Sequence, residues 1–139
     1  MVLMEMSGFR WLVLVGILSG LAACFPVSED VSSNICTANG GQQIIEKKRG
    51  DGQPYKVCLF EDNRQCELQA LNSGECPKGG LKITGYITPA SQYCVLTGGH
   101  YLIKPVISSL HEQGYCTLHG VTCDADEYFD GQCMLPHKR

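Results

Sequence analysis

Eight of the nine cysteines fall into two sets of four with nearly the same spacing. Cys36, Cys58, Cys66 and Cys76 are separated by 22, 8 and 10 positions, and Cys94, Cys116, Cys123 and Cys133 by 22, 7 and 10. The chain therefore carries two copies of one small unit. Each unit is close to the size at which an apolar core alone stops sufficing. Covalent staples are expected at that size, and with them an oxidising compartment. The ninth cysteine, Cys24, belongs to neither set.

Cys24 closes an apolar run. Trp11 to Ala23 carries no charge and follows Arg10. Thirteen residues are too few for a membrane span, which needs roughly 20, but they suit the apolar region of an export signal. Met4 and Met6 are alternative starts. The ending Leu21-Ala22-Ala23-Cys24 resembles the bacterial lipobox. That resemblance implies cleavage between Ala23 and Cys24 and covalent lipid on Cys24, with more than one acyl chain for stable anchoring. Phe25 after the lipid site resembles the pattern of outer-membrane delivery. The expected organisation is a signal peptide over 1–23, a lipidated tether over 24–31, repeat one over 32–77, a linker over 78–87 and repeat two over 88–134. Beyond Ala23, ten Lys and Arg face thirteen Asp and Glu, which leaves no basic footprint for nucleic acid.

Reading the copies against each other separates shared residues from incidental ones. Both open Cys-x-x-x-Gly-Gly, at Cys36 with Gly40-Gly41 and at Cys94 with Gly98-Gly99. Both end with a cysteine and an acid, then Gly-x-Cys, at Cys66-Glu67 to Cys76 and Cys123-Asp124 to Cys133. The opening predicts a short helix, capped by Thr88 with Pro89 in its first turn and stopped by Gly98. Ser32 or Ser33 and Gly40 take those parts in copy one. Gln42 to Lys48 and Tyr55 to Phe60 flank an Asp51-Gly52 turn, which predicts a hairpin. Copy two offers Tyr101 to Lys104 and Tyr115 to Leu118. The close predicts a helix from Cys66 to Ser73 and from Cys123 to Asp130, stopped by Gly74 and Gly131. The expected fold is α+β, two tandem α-β-β-α units, with Ile44, Ile45, Val57, Leu59 and Leu71 in one core and Leu102, Ile103, Leu118 and Tyr128 in the other.

That assignment limits the bridges. A helix between Cys66 and Cys76 would hold them roughly 15 Å apart, whereas a disulfide needs Cα atoms within about 7 Å. The expectation is therefore Cys58–Cys66 with Cys36–Cys76, and Cys116–Cys123 with Cys94–Cys133. Cys36–Cys66 with Cys58–Cys76 is the alternative in copy one.

Thr88-Pro89-Ala90-Ser91-Gln92-Tyr93-Cys94, the Gly98-Gly99 pair and the Cys-acid to Gly-x-Cys close resemble a bacterial domain of unknown function. It is found in small envelope lipoproteins commonly labelled hemolysins. The resemblance covers about residues 30 to 134 as two copies. It implies an envelope location, by expectation at the outer membrane facing the periplasm. Gln69 and Asp126 stand where that family often has Trp, and Ser73 and Asp130 where it often has Arg. The label itself does not establish pore formation.

Residues that could carry chemistry are few. Cys116, His119 and Cys123, with His111 nearby, are ligand types at metal spacing. His119 aligns with Phe60 or Glu61, however, and copy one builds the same framework without it. Bridged cysteines and no metal are expected, and no cofactor beyond the lipid. No nucleophile elbow, phosphate loop or Cys-x-x-Cys pair occurs, so no enzyme is expected. The expected function is a binding or structural module, with envelope proteins or cell-wall polymer as partners. One alternative is a protease inhibitor presenting Leu59 to Gln65, with Phe60 or Arg64 entering the protease. A membrane-active protein is the other.

Overall fold

The computed structural model describes residues 28–105 and 111–138. The segment expected to be a signal peptide, the expected cleavage site at Ala23 and Cys24, and the expected lipid site Cys24 lie outside the described residues. The chain is α+β. Helix α1 (Ser28–Ala38) leads into the hairpin β1 (Gln43–Lys48) and β2 (Pro54–Leu59). Then come β3 (Arg64–Glu67), α2 (Leu68–Ser73) and a two-residue strand β4 (Leu81–Lys82). The second half runs α3 (Pro89–Leu96), β5 (His100–Ile103), β6 (Gly114–Leu118), β7 (Val121–Asp124) and α4 (Ala125–Phe129). The sheets are antiparallel, in the orders β1-β2-β3-β4 and β5-β6-β7.

Each expected α-β-β-α unit gains a strand, β3 in the first and β7 in the second, because Cys66 and Cys123 lie on strands and do not open helices. Asp62 and Asn63, both at positive φ, reverse the chain tightly enough for β3 to pair with β2. Helix α1 starts inside the expected tether, four residues before Ser32. The segment expected as a linker supplies β4, which pairs with β3 through Leu81 opposite Gln65. Its Ile83 is buried.

The disulfides correct the expected pairing. Cys36 bonds Cys58, Cys66 bonds Cys76, Cys94 bonds Cys116 and Cys123 bonds Cys133. Cys58–Cys66 and Cys116–Cys123 are cross-strand neighbours but not bonded to each other, and neither Cys36–Cys76 nor Cys94–Cys133 forms. The reason is the length of the closing helix. Only six residues of α2 separate Glu67 from Gly74, and Gly74 at φ 78° turns the chain back. Cys66 and Cys76 then lie 5.9 Å apart at Cα, within bridging range.

The shared motif has a structural explanation at each position. Gly40 and Gly98 stop α1 and α3 at φ 87° and 90°. The glycine after each has a different task. A Cβ on Gly41 would fall 2.2 Å from Cys58 Sγ and 2.4 Å from Cys36 Sγ, and one on Gly99 2.5 Å from Cys116 Sγ. The acid after each third cysteine caps a helix: Glu67 accepts from the Ala70 amide, and Asp124 from the Asp126 and Glu127 amides. Thr88 and Ser91 form a reciprocal capping box with Pro89 in the first turn, as the sequence predicts.

Strand register places the core. Ile44, Cys58 and Cys66 lie side by side on one face of the first sheet, in a cluster with Cys36, Leu68 and Leu71. Ile45, Val57 and Leu59 lie on the other face, packed with Leu96 of α3 and with Ile83. The two halves therefore share a core, and the first sheet is covered on both faces. Among the described residues, the second sheet is covered on one. Its row Leu102–Tyr115–Asp124 is equivalent by register to Ile45–Val57–Glu67, yet Leu102 is 54% exposed. Leu102 and Ile103 are accordingly not core, whereas Val57, Leu71, Leu118 and Tyr128 are buried as expected. No helix among the described residues is long and apolar enough to cross a membrane.

Candidate functional site

A groove of about 660 Å³ opens where the two halves meet. Strand β2 supplies Tyr55 on the face that meets α3, and α3 answers with Tyr93. The rings meet edge to face with centroids 5.0 Å apart, a favoured aromatic geometry. Tyr128 of α4 continues the wall, its centroid 5.0 Å from that of Tyr93. These rings are not shared between the copies: Gln113, Ile35 and Leu71 stand at the matching positions. Opposite, α1 contributes Ser32 and Ile35, and α2 contributes Gln69 and Asn72.

Burial dominates the titration of the inner wall. It pushes the Tyr55 hydroxyl up to about 12, with Tyr93 and Glu67 adding to the effect. It raises Tyr128 as well. The Glu67 carboxyl is raised by the same loss of water, against the hydrogen bonds of its cap. Each neutral form is thereby favoured.

At one end, a second acid ties the C-terminal segment to the first half. The Glu75 side chain is only 3% exposed. Its Oε1 lies 2.7 Å from His119 Nε2 and accepts from the Lys138 amide at 2.8 Å, while Oε2 lies 3.2 Å from His137 Nδ1. His137 Nε2 is 2.9 Å from the Tyr128 hydroxyl, which donates to Thr97 Oγ1 at 3.0 Å. At the other end, Arg49 pairs with Asp51 and meets the Tyr93 hydroxyl. The turn they belong to docks on α4 through Gly50 N–H to Phe129 O at 3.2 Å.

Burial pulls the Glu75 carboxyl up, but the Lys138 amide and the two histidines outweigh it and hold the group below its ordinary value. A carboxylate depressed in the fold stabilises it above the unfolded value and loses that contribution as pH falls through the folded one. Acidification below pH 4.5, the ordinary glutamate value, should therefore free the segment from Met134 to Lys138. Hydrogen exchange at the Lys138 amide reports it. Glu75→Gln should show fast exchange already at neutral pH, with no further acid step.

The sequence-predicted candidates fare differently. Cys116 and Cys123 lie side by side on neighbouring strands, but each is in its own disulfide, and His119 turns to Glu75. Among the described residues no group of His, Cys, Asp or Glu is placed to hold a metal ion. In the segment proposed as an inhibitory loop, Phe60 is buried and Arg64 donates to the Gly80 carbonyl at 3.3 Å. Sequence reasoning missed Tyr55, Tyr93, Glu75 and His137. Comparing the copies directs attention to what they share, and these residues belong to one copy each.

No family model, curated protein or solved structure matches this chain.

Proposed function

We propose that the chain is a lipid-anchored, non-enzymatic module of a bacterial envelope, akin to the hemolysin-labelled lipoproteins, and that it binds its partner in the groove between its halves. The observation that carries the reading is a division of labour. The residues that the copies share cap helices, clear space for disulfides or form them. The groove wall is built from tyrosines that the copies do not share, and a concave, partly aromatic surface where two halves meet is the usual place for a ligand. Arg49 at its rim is paired with Asp51, and Glu75 is engaged by His119 and His137, which suits holding a partner better than attacking it. The lipobox-like ending at Cys24 supports the anchor. The groove outranks the inhibitory-loop reading because Phe60 is spent in the core.

Two measurements test this. Intact mass of protein taken from bacterial membranes should match Cys24 to Arg139 plus acyl chains, and should gain eight hydrogens on reduction, two for each of the four bridges. An unlipidated mass removes the anchor. Tyrosine nitration of whole envelopes and of purified protein, read by peptide mass, tests the groove. Tyr55 should be protected in envelopes, and Tyr115, on the open face of the second sheet, modified equally in both. Equal modification of Tyr55 in both would overturn the groove as a binding site.

A further inference from the structure

Deepening the groove reading on which it rests, we propose that the groove takes a neutral, hydroxyl-rich sugar chain of the kind found in cell-wall glycan or glycolipid headgroups. The argument begins with what the groove has already spent. Arg49 is matched by Asp51, Lys56 donates to Ser32 Oγ at 3.3 Å, and Glu75 is engaged by His119, His137 and the Lys138 amide. The acids Glu46, Glu67 and Glu75 and the bases Arg49, Lys56 and Lys138 line the groove in equal number, and Glu46 stands opposite Lys56 in the β1–β2 register, so no net charge of either sign selects a polyanion or a polycation.

What remains is uncharged hydrogen-bonding capacity and ring surface. Among the described residues, no hydrogen bond engages the Tyr55 hydroxyl or the side-chain amides of Gln53, Gln69 and Asn72, all of which line the groove. A side-chain amide offers donors and an acceptor together, and a sugar hydroxyl likewise both gives and takes. Glu67 adds an acceptor at the inner wall. Its Oε2 takes the Ala70 amide at 2.9 Å, and a carboxyl group in either protonation state keeps acceptor capacity for a further donor. Tyr55, half-buried and part of the groove lining, adds apolar ring surface beside these polar groups. A pyranose presents that combination in reverse, a C–H face flanked by hydroxyls. The volume falls within the usual range for small-molecule sites.

The test uses full-length protein purified in detergent from membranes, with N-acetylglucosamine trisaccharide as probe. Saturation transfer NMR should show transfer to the sugar, and the sugar should slow nitration of Tyr55 but not of Tyr115. Tyr55→Leu should weaken binding at least ten-fold. Asn72→Ala, an exposed change that leaves the core untouched, should weaken it about three-fold and guards against misfolding of the first variant. A glucose trisaccharide and glycolipid-bearing vesicles, run in parallel, separate polymer from headgroup. If envelopes protect Tyr55 but no sugar does, the groove remains a binding site and the sugar assignment falls, as it also does if an extended peptide binds there and sugars do not. Sugar binding unchanged by both variants would likewise overturn it. If Tyr55 is unprotected in envelopes as well, the groove reading itself falls.

Discussion

Gly41→Ala should leave Cys36 and Cys58 unbridged. The new methyl group would occupy space now filled by both sulfur atoms, and neither the helix end nor strand β2 can retreat without breaking its own hydrogen bonds. Alkylation of free thiols before reduction, followed by mass measurement, should find two labelled cysteines where the native protein has none in this pair. Stability in urea should fall by the worth of a native disulfide in a small exported domain, about 2–5 kcal/mol. Gly40→Ala is the control. It faces open space at φ 87°, so it should cost only the backbone strain of a left-handed residue, about 1–2 kcal/mol, with every bridge formed. Equal thiol labelling in the two variants would show that φ and not contact governs this corner. Gly99→Ala should repeat the result at Cys94–Cys116.

The second large effect concerns the joint between the halves. Leu96 is fully buried, and its neighbours Val57, Ile83, Ile45 and Tyr55 all come from elements before α3. Truncation to alanine should cost about 2–5 kcal/mol, the range for a leucine whose cavity cannot collapse. The variant should still unfold in one transition followed equally by the groove tyrosines and by the amides of β1, because the lost contact belongs to both halves. Two separated transitions would mean that each half stands alone.

Much of the architecture is legible in the sequence, for local reasons. The hairpin around Asp51-Gly52 needs only its turn and its flanking β-formers, and it forms, paired from Gln43 opposite Leu59 to Lys48 opposite Pro54. The cap at Thr88 and the stop at Gly98 are equally local. The failures arise where distant geometry decides. Arg64–Glu67 is too short to show a strand period, and Cys66-Glu67 looks like a helix start because the acid is indeed the cap. Because α2 begins two residues later, at Leu68, and Gly74 folds the chain back, Cys66 and Cys76 come within bridging range. Leu102 and Leu59 look alike in sequence. Only the packing of Leu96 of α3 against the Leu59 face of the first sheet, while α3 meets the second sheet on its cysteine face, makes Leu102 a surface residue and leaves Leu59 half-buried. The groove was illegible for the same reason, since Tyr55 and Tyr93 are brought together by the packing of the halves.

The early start of α1 carries a consequence for where the molecule can act. Only three residues separate Cys24 from Ser28, and that connection spans at most about 14 Å when extended. Ile35, on the groove wall, lies seven residues into the helix, about 10 Å further along. If Cys24 carries the proposed lipid, Ile35 on the groove wall lies within roughly 25 Å of the bilayer. A binding groove held so close, as proposed, samples a nearly two-dimensional neighbourhood. Molecules anchored in the same leaflet are presented to it at high effective concentration, and freely diffusing ones are not.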